Sequence, residues 1–135
     1  MTTQNNATRE IKSRARKIED GKWGYGWFIN YSETKGFICS GYTDNYKLLE
    51  VNPKTVGQYT GVKDKNGVEI YEGDRVRVSL KYFHIENMIA KVLFKQGSFG
   101  VHYGCNDDYF KPLSAWDEVE IVGTEEQSTT TTLKG

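Results

Sequence analysis

The sequence has little cysteine and little proline: two of its 135 residues are cysteines and two are prolines. Cys39 and Cys105 stand far apart and outside any Cys-x-x-Cys pair. This is typical of a reduced cytosolic protein and argues against a disulfide scaffold or a zinc site. No apolar run approaches the roughly 20 residues that span a bilayer, and the first residues are polar, unlike a signal peptide. We therefore expect a cytoplasmic protein that contacts no membrane.

The chain also has no excess of either charge. Lys plus Arg and Asp plus Glu both count 18, so the net charge is zero at neutral pH. A protein without a strongly basic field does not attract nucleic acid from a distance. Any binding of nucleic acid would have to use a local basic patch.

The first third of the chain favours strands. Residues 10–18 fit either a short helix or one strand, but Asp20 and Gly21 that follow have the chemistry of a hairpin turn. Residues 22–31 are aromatic, punctuated by glycine and β-prone, and residues 36–41 form a further short β-prone run between two glycines. These features predict a strand and hairpin arrangement.

The segment from Thr55 to Val78, TVGQYTGVKDKNGVEIYEGDRVRV, is dense in turn residues. Asn66 and Gly67 between β-prone arms predict a hairpin with a type I′ turn, in which both central residues have positive φ. After a second turn at residues 72–74, apolar and polar residues alternate strictly, which predicts one apolar and one basic strand face. The predicted inward residues are Val76, Val78 and Leu80, and the outward ones are Arg75, Arg77 and Ser79.

Three further strands are predicted downstream. Two flank the turn residues 96–98, and the last contains Val119 and Ile121 facing inward. Only residues 113–118 favour a single helical turn. The sequence therefore predicts an all-β protein with little helix, in which N-terminal strands and a hairpin precede a small SH3-like barrel at about residues 70–123. We expect a single domain over residues 9–123, with flexible ends at 1–8 and 124–135.

Several segments together resemble one family. They are REIKSRAR at residue 9, WGYGWF at 23, TVGQYTGVKDKNGVEIYEGDRV at 55, GSFGV at 97 and EIVGT at 120. In this order they resemble the YopX family of bacteriophage and prophage proteins. The resemblance covers about residues 9–123 and departs from the family pattern at Ser13, Arg16 and Val62. It implies a mostly β fold with an SH3-like C-terminal part and a phage origin, and it supplies no activity or site residues to transfer.

The residues themselves favour no enzyme. His102, Cys105, Asp107 and Asp108 lie close in the sequence. On a strand, however, residues three apart point to opposite faces, so His102 would not reach the thiol of Cys105 unless Gly104 breaks the strand. We interpret this group as a surface histidine and a half-buried cysteine at a loop. The chain has no glycine-rich phosphate loop opening a helix and no series of metal ligands, so neither a cofactor nor a metal is expected.

The first of two candidate sites is basic. Small barrels bind single-stranded nucleic acid by combining a basic groove with stacking aromatic side chains. Tyr82 and Phe83 in the intervening loop would supply the aromatics. In the favoured interpretation, however, Glu118 and Glu120 on the last strand form cross-strand pairs with the arginines. The candidate nucleic-acid-binding residues are Arg75, Arg77, Lys91 and Lys95.

The second candidate site lies at residues 57–61, where Gln58, Tyr59 and Thr60 are candidate partner-binding residues. With Trp23, Tyr25, Trp27 and Tyr42 they could form an exposed aromatic pocket for a protein, since aromatics carry much of the binding energy of interfaces. In the favoured alternative these aromatics belong to the core. The functional prediction is a non-enzymatic accessory factor that binds a host or phage protein, with self-association as a further option and nucleic acid as the second candidate partner.

Overall fold

The computed structural model describes residues 10–41 and 45–124. Strands dominate, and helix is limited to short 3₁₀ turns such as Leu113–Ala115, so the all-β prediction is confirmed. The chain divides into two compact units, residues 1–61 and 62–135. The prediction of one domain over residues 9–123 and of an SH3-like barrel stays a prediction. The ends expected to be flexible lie outside the described residues, except for Thr124, which ends the last strand.

The strands of the first unit are β1 (Ser13–Arg16), β2 (Trp23–Asn30), β3 (Gly36–Ser40), β4 (Lys47–Val51) and the beginning of β5 (Gly57–Lys63). The division between the two units falls within β5, after Gly61. These strands lie in the order β4-β3-β2-β1-β5 in a six-stranded sheet, in which β6 (Glu69–Tyr71) follows β5.

The strand interpretation of residues 10–18 is confirmed by the hairpin that joins β1 to β2. Gly21 has φ +73°, a left-handed conformation that glycine adopts without strain. The carboxylate of Asp20 accepts a hydrogen bond from the Lys22 N–H at 2.9 Å. This local acceptor holds the turn, and it places Arg16 opposite Trp23.

The edge of β4 is partly covered by the end of β1. The Ile18 N–H donates to the carbonyl of Glu50 at 3.0 Å, and the Asn52 N–H donates to the carbonyl of Arg16 at 2.9 Å. The sheet therefore curls until its first and fourth strands meet. Inside it lies a small core of Ala15, Ile38 and Val51, all fully buried, against which Phe28 and Val56 pack.

In addition to the end of β5, the strands of the second unit are β6 (Glu69–Tyr71), β7 (Asp74–Leu80), β8 (Ile85–Lys91), β9 (Leu93–Lys95), β10 (Ser98–Tyr103), β11 (Tyr109–Pro112) and β12 (Glu118–Thr124). Strands β7 to β12 form two three-stranded antiparallel sheets, with the orders β12-β7-β8 and β11-β10-β9.

Strand β7 follows its predicted alternation at every position. Val76, Val78 and Leu80 are buried, while Arg75 and Arg77 are half exposed on the other face. Because side chains alternate along a strand, one face of β7 enters the core and the other meets solvent. The core of the second unit consists of Ile70, Val76, Val78, Leu80, Val92, Val101, Leu113, Trp116 and Val119.

The hairpin at Asn66 and Gly67 is confirmed, but the predicted type I′ turn is wrong. Gly67 has φ +83°, whereas Asn66 is not among the residues with positive φ. The Gly67 N–H donates to the carbonyl of Asp64 at 2.9 Å, and the Asp64 N–H donates to the carbonyl of Val68 at 2.8 Å. These bonds describe a type I turn followed by a glycine in the left-handed region. The carboxylate of Asp64 favours this turn because it accepts from the N–H groups of Asn66 and Val68 at 2.8 and 3.0 Å.

Candidate interaction face

Strand β2 exposes its large side chains and buries its small ones. Tyr25, Trp27 and Ile29 alternate along one face and are 45%, 74% and 42% exposed. Their neighbours on the other face include the buried Gly24 and the half-buried Phe28. This is the reverse of the usual pattern, in which the larger apolar side chains of a strand lie in the core.

At Gly24 and Gly26 the inward face of β2 has little room for a side chain, whereas Phe28 on the same face packs against the core. A Cβ atom at Gly26 would collide with the backbone carbonyl oxygen of Cys39, and one at Gly24 would lie 3.3 Å from the Cγ of Lys17. Gly26 therefore permits β3 to approach β2 closely, and Gly24 leaves room for the side chains of Lys17 and Leu49. Since side chains alternate along a strand, Tyr25 and Trp27, each of which follows one of the two glycines, face outward.

Neighbouring residues extend this outward surface beyond β2. Phe37 lies directly opposite Ile29, and Cys39 lies opposite both Trp27 on β2 and Leu48 on β4. Opposite residues of antiparallel strands share a face of the sheet. Tyr31, just after β2, packs edge-on against Phe37 with ring centroids 6.4 Å apart. We call this surface the aromatic face; it consists of Tyr25, Trp27, Ile29, Tyr31, Phe37 and Leu48.

Two charged side chains lie beside Phe37 on the aromatic face. The Lys35 ammonium is 6.0 Å from the centre of the Phe37 ring, and Glu50 occupies the position directly opposite Phe37 on β4. Among the described residues, neither charge forms an ion pair. Around Phe37 the aromatic face therefore carries one base and one acid.

Trp23 begins the same side of β2, but cations cover its ring. The guanidinium carbons of Arg14 and Arg16 lie 4.1 and 4.0 Å from the ring centre. Cation–π contacts of this kind stabilise both partners when they are shielded from water, and Arg14 is buried. Trp23 is thus packed against other side chains, as the favoured alternative predicted for these aromatics, whereas Trp27 is exposed.

The predicted partner-binding residues at 57–61 lie on β5. Tyr59 is only 7% exposed, its N–H donates to the carbonyl of Lys12 at 2.8 Å, and the Lys12 ammonium lies 5.4 Å from its ring centre. Tyr59 therefore follows the favoured alternative of a packed aromatic, and its ring is not part of an exposed pocket. Gln58 and Thr60 are half buried, and their role in binding stays a prediction. Tyr42 lies outside the described residues.

The predicted basic residues lie on β7, β8 and β9, and one of them has an acidic partner. The Nη1 of Arg77 donates to a carboxylate oxygen of Glu120 at 3.0 Å, as the favoured interpretation expected. Glu118 instead lies 3.7 Å from the ammonium of Lys65. The expected pairing of Glu118 with an arginine is therefore wrong, because the register places Glu118 opposite Ser79.

The other predicted basic residues are placed differently. Arg75 lies directly opposite Lys91 on β8, so the sheet brings two positive side chains together. The Lys95 ammonium lies 3.4 Å from the Nε2 of His102 on β10. The four residues therefore do not share one sheet: Lys95 belongs to β11-β10-β9 and the other three to β12-β7-β8.

His102 and Cys105 lie in different surroundings, and Cys105 is exposed rather than half buried as predicted. The Nδ1 of His102 donates a hydrogen bond to the carbonyl oxygen of Tyr109, which is 3.2 Å away. Cys105 is exposed in the turn that follows β10. Within residues 10–41 and 45–124, no three His, Cys, Asp or Glu side chains form a group that could hold a metal ion. The described part of the chain also contains no helix of the length and apolarity that a membrane crossing requires.

Sequence reasoning missed four members of the aromatic face: Ile29, Tyr31, Phe37 and Leu48. The available signal was WGYGWFINY, in which glycines alternate with aromatics. Glycine on one face of a strand indicates a close approach of neighbouring backbone on that face, which predicts that the bulky residues point away from it.

Two comparisons with known proteins find a similarity, one to a family and one to a solved structure. A family model described as YopX protein matches residues 12–125. The crystal structure of protein EF1440 from Enterococcus faecalis is similar over 90% of this chain and 99% of its own, with a TM-score of 0.51 and 19% sequence identity. At this identity the likeness concerns the fold alone. A search of curated proteins finds no match.

Proposed function

The chain belongs to the YopX family, and we propose that it is a non-enzymatic accessory factor of phage or prophage type that binds another protein through the aromatic face. Its place of action is the cytoplasm of the bacterial host. The observation that carries the proposal is the exposure of Trp27 and its neighbours on a sheet whose opposite side is already packed.

The size of the aromatic face supports a role in binding. A whole aromatic side chain has about 150–250 Å² of surface, so the exposed fractions of Tyr25, Trp27 and Tyr31 correspond to roughly 400 Å². Ile29 and Leu48 add to this. Monomeric proteins rarely leave more than a few hundred Å² of contiguous apolar surface exposed without a function.

The chemistry of the aromatic face favours a protein partner. The centres of protein interfaces are depleted in charge and enriched in Trp, Tyr and Phe, and the aromatic face shows this composition. Nucleic acid would require a row of cations along the exposed aromatics. On this side of the sheet Lys35 lies beside Phe37, while Arg14 and Arg16 are stacked on the ring of Trp23. Trp27 at the centre of the face is the residue that we expect to contribute most.

The test is an affinity pull-down from bacterial lysate with tagged protein, with and without nuclease, followed by mass spectrometry. The central variant is Trp27→Lys; since Trp27 is mostly exposed, this variant should fold. The matched control is Tyr82→Lys, which places the same charge at an even more exposed aromatic outside the face. The proposal expects a specific protein that survives nuclease, is retained by Tyr82→Lys and is lost with Trp27→Lys. Equal recovery with both variants would contradict it.

The second candidate function is binding of single-stranded nucleic acid at Arg75, Arg77, Lys91 and Lys95. The observation in its favour is the placement of Arg75 directly opposite Lys91, which brings two cationic side chains to one face of the sheet. The pairing of Arg77 with Glu120 weighs against it. This function predicts recovery that nuclease abolishes and a binding constant for single-stranded DNA that falls steeply with salt. Salt-independent binding would exclude it.

A further inference from the structure

We propose that the aromatic face of one chain binds the aromatic face of a second copy, so that the protein forms a two-fold symmetric dimer. This inference rests on the proposed function, since it names the partner that the aromatic face takes. It requires that the face lack a cover within its own chain, that it be large enough, and that it be complementary to itself.

The two terminal segments outside the described residues are poor in apolar side chains. Residues 1–9 read MTTQNNATR and residues 125–135 read EEQSTTTTLKG. Met1 and Leu133 are the only large apolar side chains in the two segments together. A cover for a face containing Trp27 and Tyr31 needs several such side chains, because the stabilisation is proportional to the apolar area removed from water. A second copy of this chain supplies six such side chains on its own aromatic face.

The extent of the face suits a dimer. A stable interface buries about 800 Å² on each partner. The three exposed aromatics supply roughly half of this, and the remainder can come from Ile29, Leu48 and the half-exposed Phe37. Pairs of aromatic rings across such an interface strengthen it beyond the effect of burial.

The two charges of the face make it complementary to itself. In a two-fold interface, the same patch meets itself, and residue i of one chain contacts residue j of the other while j contacts i. Lys35 and Glu50 both lie beside Phe37. A two-fold axis that passes close to Phe37 brings Lys35 of each chain to Glu50 of its partner. Two ion pairs form, whereas a face with charges of a single sign would repel its copy.

The experiment is sedimentation velocity of the full chain at protein concentrations between about 1 and 500 μM. These concentrations detect a dimer whose dissociation constant is roughly micromolar to millimolar. The variants are Trp27→Lys, Lys35→Glu, Glu50→Lys and the double variant Lys35→Glu/Glu50→Lys, with Tyr82→Lys as the control. Thermal melting of each variant establishes that it is folded. The dissociation constant of the dimer is the measured quantity.

We expect a dimer in the native chain and in Tyr82→Lys, and a monomer in Trp27→Lys. Each single charge reversal should weaken the dimer by about tenfold or more, because each places like charges together twice. The double reversal should restore the native dissociation constant to within about threefold, since the two ion pairs re-form with opposite polarity.

A native chain that stays monomeric throughout the range overturns the proposal, and so does a dimer that tolerates Trp27→Lys or a double variant as weak as the single ones. The two proposals fail in different ways. A monomer that still captures another protein, and loses it with Trp27→Lys, overturns the dimer while the aromatic face keeps its proposed function. A dimer that tolerates Trp27→Lys, together with capture that tolerates it, overturns both.

Discussion

The carboxylate of Asp64 accepts a hydrogen bond from the backbone N–H of Ile121, 57 residues further along the chain, at 3.0 Å. The same buried carboxylate accepts from the N–H groups of Asn66 and Val68 within its own hairpin. One side chain therefore forms the turn after β5 and joins it to β12. The turn after β5 therefore has a structural role, because its aspartate stabilises both the hairpin and the contact with β12.

Replacing Asp64 with alanine should destabilise the protein strongly. Three buried or half-buried N–H groups lose their acceptor, and each unsatisfied donor costs about 1–3 kcal/mol unless water reaches it, so we expect a loss of about 2–4 kcal/mol in the free energy of unfolding. Urea denaturation measures it. The matched control is Asp20→Ala, because Asp20 also accepts from the N–H two residues on but is exposed. A similar loss in both variants would show that the bond to Ile121 contributes little.

Asp64 should also make stability depend on pH. Burial raises the pKa of Asp64, but the hydrogen bonds from Ile121, Val68 and Asn66, together with Lys65, outweigh it and hold the pKa below 3.8. A carboxylate with a lowered pKa contributes stability that is present above the unfolded pKa and is lost as the pH falls through the folded pKa. We therefore expect the urea concentration at the midpoint of unfolding to decrease once the pH drops below about 4.

The pH measurement compares the native aspartate with Asp64→Asn between about pH 6 and 2.5, a range that spans the ordinary pKa of an aspartate. Since hydrogen bonding to the Lys22 N–H also lowers the pKa of Asp20, both chains should carry Asp20→Asn. The chain that keeps Asp64 should lose more stability on acidification than the chain with Asp64→Asn, so the two curves converge towards acid. Parallel curves would mean that Asp64 does not titrate in this range.

The sequence predicts the fold best where one principle acts alone. In β7 the alternation of valine with arginine decides which side is buried, and the structure agrees at each position. In the Asp64 hairpin two principles compete. Asn66 and Gly67 favour a type I′ turn, but the Asp64 carboxylate stabilises a different one, and its third donor, Ile121, is too distant in the sequence to be anticipated.

The candidate site was harder to predict because large apolar side chains are expected in the core, whereas those of the aromatic face are exposed. Trp27 and Tyr59 are both aromatic residues in β-prone segments flanked by glycine, yet one is 74% exposed and the other 7%. The difference arises from neighbouring strands. Gly26 faces the close backbone of β3 and so turns Trp27 outward, whereas Tyr59 lies on β5 beside Lys12.

Tyr59→Ala should test the interior placement of that ring. Removing a buried aromatic costs about 3–5 kcal/mol, through lost burial and the cavity that remains. Tyr59→Phe keeps the ring and should cost much less, and Trp27→Ala, which removes an exposed ring, should change the urea midpoint little. If Tyr59→Ala were as stable as Trp27→Ala, the ring would not belong to the core, and the predicted role of Tyr59 in partner binding would return.

Two glycines should respond differently to substitution. A Cβ at Gly100 on β10 would collide with the carbonyl oxygen of Lys111, whereas one at Gly67 would meet nothing within 4 Å but would sit on a backbone with φ +83°. Gly67→Ala should therefore cost about 1–2 kcal/mol from backbone strain alone. Gly67→Asn should cost less, because asparagine tolerates the left-handed region.

At Gly100 neither alanine nor asparagine should be tolerated. Both carry the Cβ that forces β10 away from β11, and overpacking of this kind costs about 1–3 kcal/mol or more. Thermal melting of the four variants gives the comparison. Relief by asparagine at both glycines would show that backbone conformation, rather than the close approach of Lys111, determines the need for glycine at Gly100.

The ion pair between Arg77 and Glu120 should be measurable but small. Its two side chains are partly exposed, and their atoms lie 3.0 Å apart on neighbouring strands, a setting in which cross-strand charge pairs contribute roughly 0.2–1 kcal/mol. A double-mutant cycle with Arg77→Gln, Glu120→Gln and both should give a coupling energy in this range at low salt and a smaller one at about 0.5 M salt, where the screening length is shorter. The cycle with Arg75→Gln and Glu120→Gln is the control, because Arg75 lies opposite Gly123 rather than Glu120. Equal coupling in the two cycles would indicate a general effect of charge on the sheet, and Arg77 would then remain available to an anionic ligand.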